Sequence, residues 1–131
     1  MLSNAASADR LKHNRDFSRV YRYGKCYRGR WISLHVNKRR GVHSIANPRI
    51  GFAVSRSIRG AVQRNRVKRL LRESFRLRHV DLLSGFDLIV TNRWKHAEEP
   101  VLSVLIEEMD RLLIESGVGR PPVRLAESGG C

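Results

Sequence analysis

The spacing of apolar positions along this chain switches repeatedly between strand and helix periods, and each switch marks an element. Phe17, Val20 and Tyr21 share one helical face, predicting a short helix within 11–23. Asn14 is its expected N-cap, Asp16 sits near its positive end, and Gly24 closes it. In 26–37, Ile32, Leu34 and Val36 alternate with Trp31, Ser33 and His35, which predicts a strand with one apolar and one mixed face. A short strand or turn is expected within 24–30. The basic stretch 38–48 reads as a loop, and Ile50, Phe52 and Val54 mark another strand in 49–55. Three short strands in succession suggest an antiparallel meander. Val67, Leu70, Leu71 and Phe75 form the buried stripe of a helix within 59–78. After a polar break at 81–85, FDLIVTNR (86–93) is a continuous apolar run, as in a strand buried on both faces. Strand, helix and strand in series form a crossover, right-handed by the general rule. Leu102, Leu105, Ile106, Met109, Leu112 and Leu113 define a last amphipathic helix over about 98–116, with Glu107, Glu108, Asp110 and Glu115 outside. The reading is a single α+β domain over 10–116, in the order α-β-β-β-α-β-α. Residues 1–9 and 117–131 are expected to be a disordered lead and tail.

A chain of 131 residues, 41% hydrophobic, suits one modest core. Its 26 Lys and Arg against 12 Asp and Glu give a formal charge of +14. Self-repulsion of that size calls for a polyanionic partner. Nucleic acid comes before a membrane, because no long amphipathic segment exposes apolar residues and no run could span a bilayer. The start, MLSNAASADR, lacks the order of a signal peptide. Cys26 and Cys131 cannot build a metal cluster by themselves, and a structural disulfide is not expected. A cytoplasmic location follows.

The densest cationic run, RGAVQRNRVKRLLRESFRLR (59–78), coincides with the predicted central helix. Lys68, Arg72 and Arg76 stack along an outward face flanked by Asn65 and Arg69, with Glu73 the sole acid of the run. Such a face is usually solvated. The shortage of alternating acids favours nucleic-acid contact here. Ser55, Ser57 and Gly60 surround Arg56 and Arg59 at the helix start, where free N–H groups bind phosphate. Phe17 and Tyr21 suit core packing by pattern alone; the alternative is a platform for unpaired bases. No Gly-rich phosphate loop, zinc motif or cysteine pair is present. His13, His35, His43, His79 and His96 lack ligand spacing. Asp16, Asp81 and Asp87 fall in different elements. Asp16 and Asp87 could meet, but a two-metal site gathers more carboxylates. The chain reads as a binder, with a structural ribosomal protein and a protein-only nuclease as the competing readings.

The motif AVQRNRVKRLLRESFR (61–76) resembles the Arg-Asn-Arg helix of the protein subunit of bacterial ribonuclease P. Leu11 to Gly24, with Arg15-Asp16-Phe17 and Val20-Tyr21, is similar to that family's first helix. RIGFAVS (49–55) and GFDLIV (85–90) look like its third and fourth strands. The resemblance covers about residues 10–116 and implies an α/β sandwich with a left-handed crossover, against the general rule. It implies a ribozyme cofactor: an endoribonuclease whose catalytic RNA, with its own Mg2+, removes the 5′ leader from precursor tRNA. No catalytic or metal-binding residue is then expected in the protein, and the partners are the catalytic RNA and precursor tRNA, with neither DNA nor membrane. By the same resemblance, Arg56, Arg64, Asn65, Arg66, Lys68, Arg69 and Arg72 face the catalytic RNA. Phe17, Tyr21, His35 and Arg93 match the leader-binding cleft, which reverses the pattern-only reading of the two aromatics. Two departures stand out: Arg56-Ser57 where the family commonly has two lysines, and a bulkier Asn92-Arg93-Trp94-Lys95-His96.

Overall fold

In the computed structural model, residues 2–3, 8–41, 46–95 and 98–121 are described. His43, His96 and Cys131 lie outside them, as do the rest of the expected lead and the last ten positions of the tail.

The chain runs β1 (Leu2–Ser3), β2 (Asp9–Arg10), α1 (Asn14–Tyr23), β3 (Lys25–Arg28), β4 (Ile32–Lys38), β5 (Arg49–Ala53), α2 (Ala61–Arg76), β6 (Asp81–Leu83), β7 (Phe86–Asn92), α3 (Leu102–Glu115) and β8 (Gly119–Arg120). The expected succession of major elements is present. Four short strands add to it. Leu2–Ser3 pairs with Leu82–Leu83, and β6 also pairs with β8, so regular structure reaches into both the expected lead and the expected tail. The stretch 81–85, read as a polar break, contains β6, because Leu82 is buried beside Val80.

The main sheet has the order β2-β5-β7-β4-β3. This corrects the meander. Strands β3 and β4 do form an antiparallel hairpin, but β7 inserts between β4 and β5, antiparallel to the first and parallel to the second. The parallel pairing of β5 and β7 makes α2 a crossover helix. As the central strand, β7 is buried from Asp87 to Val90, in line with its unbroken apolar run.

Strand alternation divides the domain into three layers. Ile32, Leu34, Val36, Ile50, Leu88 and Val90 point to one face and form the main core with Val67, Leu71 and Phe75 of α2 and Leu105, Met109, Leu112 and Leu113 of α3. On the other face, Ile89 packs against Val20 of α1 and against Leu11. Helix α1 begins one residue after its N-cap His13, whose carbonyl accepts from the N–H groups of Asp16 and Phe17. Asn14 is therefore the first helical residue, not the cap. Gly24 closes the helix by donating its N–H to the Val20 carbonyl at 2.8 Å.

One core prediction reverses. Glu108, expected on the outer face of α3, is buried and accepts the backbone N–H groups of Arg30, Trp31 and Ile32 at 2.8, 2.7 and 2.8 Å. It thereby holds the β3–β4 turn onto α3. Trp94, part of the bulkier segment after β7, turns inward and is buried in the main core.

Candidate nucleic-acid interface

Helix α1 leaves part of the second sheet face open, and the aromatics stand there. Phe17 is half-buried, its ring lying so close over Gly51 that a Cβ at that position would meet the ring Cζ at 2.6 Å. Only glycine allows the ring to settle onto β5. Tyr21, one turn on, is 46% exposed and meets the His35 ring edge-on, with 4.8 Å between centroids. Burial, and secondarily the charge of Arg28, lower the His35 pKa, so the ring is neutral at physiological pH. Both readings of the aromatics thus hold in part: they pack on the sheet and keep accessible surface. Arg93 stands apart from them. Its backbone N–H donates to the Trp31 carbonyl at 2.8 Å and its guanidinium to the Gly29 carbonyl, tying the end of β7 to the β3–β4 turn.

The cations of α2 leave in several directions. Arg64 turns inward, donating through Nη1 to the carbonyls of Ser55 (3.0 Å) and Ile58 (2.8 Å) and through Nη2 to that of Val54 (3.1 Å). This corrects its placement on the outward face: three carbonyls of the preceding loop occupy its donors. Arg66 points toward α3 and donates through Nε and Nη2 to the two carboxylate oxygens of Glu99 at 3.0 and 2.9 Å. Lys68 and Arg72 border a groove that also contains Phe17. Asn65, Arg69 and Arg76 are exposed on the crest between, with Arg76 ion-paired to Glu73.

The loop before α2 is built as firmly as the helix. Asn92, buried at the end of β7, accepts the Ser55 N–H at 2.7 Å and donates to the Trp94 carbonyl at 3.0 Å. With Arg64 holding the loop's carbonyls, this presents Arg56, which is exposed, beside the helix N-terminus.

Asp16 and Asp87 do meet, with an arginine between them. Arg49 clasps both oxygens of Asp87, Nε to Oδ1 at 2.8 Å and Nη2 to Oδ2 at 2.6 Å, and approaches Asp16 at 3.5 Å. Arg39 adds a bond to Asp87 Oδ1 at 3.1 Å. The bond to Asp87 raises the Arg49 pKa above its ordinary value. A guanidinium occupies the space between the two carboxylates where a metal would have to sit, so the residues do not fit the metal centre of a protein-only nuclease.

Sequence reasoning overlooked Arg10, Lys12 and Arg28 around the aromatics, and Glu99. Their elements are too short or too irregular to show a period. The only signal was their charge.

These features define a small basic α+β RNA-binding protein, with aromatics and cations sharing an open sheet face. A Ribonuclease P family model matches residues 6–116. The ribonuclease P protein component of Natranaerobius thermophilus is 42% identical over 88 residues, covering 67% of this chain and 73% of that protein. That of Caldanaerobacter subterraneus subsp. tengcongensis is 38% identical over 104 residues, covering 79% and 85%. Among solved structures, the Staphylococcus aureus RNase P protein superposes with a TM-score of 0.67 at 28% identity, covering 86% of this chain and 99% of that one. The Thermotoga maritima protein superposes with a TM-score of 0.66 at 28% identity, covering 82% and 96%. The chain belongs to the ribonuclease P protein family, whose members are RNA-binding parts of a tRNA-processing ribonucleoprotein. That membership decides against a structural ribosomal protein. Among the described residues, no helix is long and apolar enough to cross a membrane.

Proposed function

We propose that this chain is the cytoplasmic protein cofactor of a ribozyme: it docks on the catalytic RNA of ribonuclease P and grips the single-stranded 5′ leader of precursor tRNA. The observation that carries the reading is the open aromatic face of Phe17, Tyr21 and His35, set beside the cations of α2. The ribozyme and its substrate are both polyanions. A small basic protein between them screens their repulsion and adds contacts that only the leader makes. Stacking on an aromatic ring is worth roughly 1–3 kcal/mol per base and tolerates any sequence, as variable leaders require. His35, kept neutral, offers a flat surface and not a fixed charge. Arg56, Asn65, Arg66 and Arg69 make the contacts to the catalytic RNA, and Arg64 supports them by shaping the loop that carries Arg56. Arg93 steadies the turn at the far end of the face. The Mg2+ ions of catalysis are held by the RNA, since the paired acids of the protein are neutralised by Arg39 and Arg49.

The test is cleavage of a precursor tRNA at low Mg2+ by the protein, by the cognate RNA, and by both together. Activity at the mature 5′ end is expected from the mixture alone; a mixture no better than the RNA would refute the cofactor role. Phe17→Ala is expected to weaken binding of leader-bearing precursor about tenfold while leaving mature tRNA binding unchanged, one stacked base being worth that much. Equal loss for both would remove the leader from this face.

A further inference from the structure

The groove beside Phe17 follows the outer edge of β5 and has a volume of about 320 Å³. Two of its cations come from α2, Lys68 and Arg72. Two more, Arg10 and Lys12, come from β2 and the turn after it, almost sixty residues away in the chain. Strand β2 is only two residues long, and its parallel pairing puts Arg10 opposite Ile50. After Leu11 donates its N–H to the Ile50 carbonyl at 2.9 Å, the chain leaves the edge and turns into α1. The groove opens at that departure, with the Phe17 ring on one side and the α2 cations on the other.

The four cations line this groove with no carboxylate among its described lining residues. Elsewhere the protein pairs its close arginines with acids, as Asp87 does for Arg39 and Arg49. Arg72 instead has Arg10 as its charged neighbour: partial burial, and after it the charge of Arg10, lower its pKa. Two guanidiniums facing one another across a groove, without an intervening acid, cost free energy in the isolated protein. A phosphate between them relieves that cost and gains charge-assisted hydrogen bonds.

We propose that this groove is a phosphate site for single-stranded RNA, in which Arg10 and Arg72 bind one backbone phosphate of the leader, flanked by Lys12 and Lys68, next to the nucleotide stacked on Phe17. The proposal rests on the leader-binding reading above. It moves Lys68 and Arg72 from the catalytic RNA to the leader and adds Arg10 and Lys12, which no motif marks. Stacking supplies a sequence-tolerant contact to the base, and the groove supplies a sequence-independent contact to the backbone. Together they register a leader without reading it.

The experiment uses the reconstituted holoenzyme and precursor tRNAs whose leaders carry a single uncharged methylphosphonate linkage, placed at successive positions. One position is expected to weaken binding about tenfold to the wild-type holoenzyme and to have no effect with Arg10→Gln. With ordinary precursor, Arg10→Gln is expected to weaken binding to a similar degree and to make the salt dependence shallower, by about 0.7 in the log–log slope for one single-stranded phosphate. The affinity of the protein for the catalytic RNA and binding of mature tRNA should not change. Arg10→Lys, which keeps the charge, should recover most of the loss and shows that the fold is intact. Loss of affinity for the catalytic RNA would assign the groove to that RNA and overturn the proposal. So would the absence of any leader position coupled to Arg10. Phe17→Ala, measured alongside, separates the two readings. If it weakens precursor binding while Arg10→Gln does not, the groove proposal fails alone; if Phe17→Ala also has no effect, the leader-binding reading fails with it.

Discussion

Glu108 offers the sharpest test of how the sheet face is held. Its carboxylate accepts the N–H groups of Arg30, Trp31 and Ile32, and a side-chain bond from Arg111 Nη2 at 3.2 Å. Glu108→Ala removes the acceptor for all three backbone donors. The N–H of Arg30 lies in an exposed residue and can be taken over by water. Those of Trp31 and Ile32 are more enclosed, and an unsatisfied buried donor costs roughly 1–3 kcal/mol. Two of them, with the lost packing, give an expected destabilisation of about 4 kcal/mol. A domain of ordinary stability, with about 5–15 kcal/mol in hand, remains folded but loses much of its margin. Urea unfolding followed by tryptophan fluorescence measures the loss, since Trp31 and Trp94 both lie near the affected region. Amide exchange at Ile32 should accelerate more than at Leu71, which lies in the core of α2. The structure supplies an internal control in Gly29. A Cβ there would come within 2.4 Å of the Glu108 Cδ, so Gly29→Ala should be destabilising in the native background. In the Glu108→Ala background that clash is absent, and the two changes should be strongly non-additive. A loss below about 1 kcal/mol for Glu108→Ala, or simple additivity with Gly29→Ala, would refute this account of the turn.

Three further changes test the division of charge. Arg64→Ala should lower stability by about 2–3 kcal/mol in urea unfolding, because three loop carbonyls lose a charged donor; a stability-neutral variant with weakened RNA binding would return Arg64 to the interface. Glu99→Gln frees the Arg66 guanidinium from an intramolecular anion, so affinity for the catalytic RNA should rise severalfold at low salt, the urea midpoint should barely move, and an unchanged affinity would count against an RNA contact by Arg66. Arg78 is buried over the Phe75 ring, 4.2 Å from its centroid, and burial lowers its pKa from 12.5 to about 10. The native state therefore releases this proton before the unfolded chain does, and stability rises with pH from about 10 upward. Relative to Arg78→Met, wild-type protein should gain about 0.8 kcal/mol between pH 8 and pH 10.5, read from paired urea midpoints; no relative gain would mean that the guanidinium is better solvated than its burial implies.

The elements with a sustained period were legible in the sequence. Val67, Leu71 and Phe75 placed α2 on the core, Ile32, Leu34 and Val36 set the buried face of β4, and the unbroken apolar run of β7 announced a central strand. Sheet order was not legible, because the insertion of β7 between β4 and β5 depends on long-range pairing that leaves no local mark. Strands of two or three residues, such as β2, β6 and β8, are too short for a period to emerge. Glu108 misled because an acid on an amphipathic helix normally faces water; only the three N–H groups of a distant turn make burial favourable. Among the candidate contacts, the Arg-Asn-Arg run identified the right helix. It did not say that Arg64 would turn inward, since the loop carbonyls that take its donors come together only when Asn92 has pulled that loop against β7.

The net charge of +14 therefore overstates what is available to RNA and hides where it is available. Arg39 and Arg49 neutralise the acids at one end of the sheet, Arg64 and Arg93 serve backbone carbonyls, and Arg78 lies under cover of the core. None of these can contribute fully to a salt-dependent affinity. The cations that can are those kept near one another without acids, and they flank the one face where aromatic rings stay accessible. Counterion release needs only charge density, whereas discrimination between a precursor and its product needs a contact that the leader alone can make. By placing Arg10 and Arg72 beside Phe17, the fold supplies both at one edge of β5. A uniformly basic surface of the same net charge would bind precursor and mature tRNA alike.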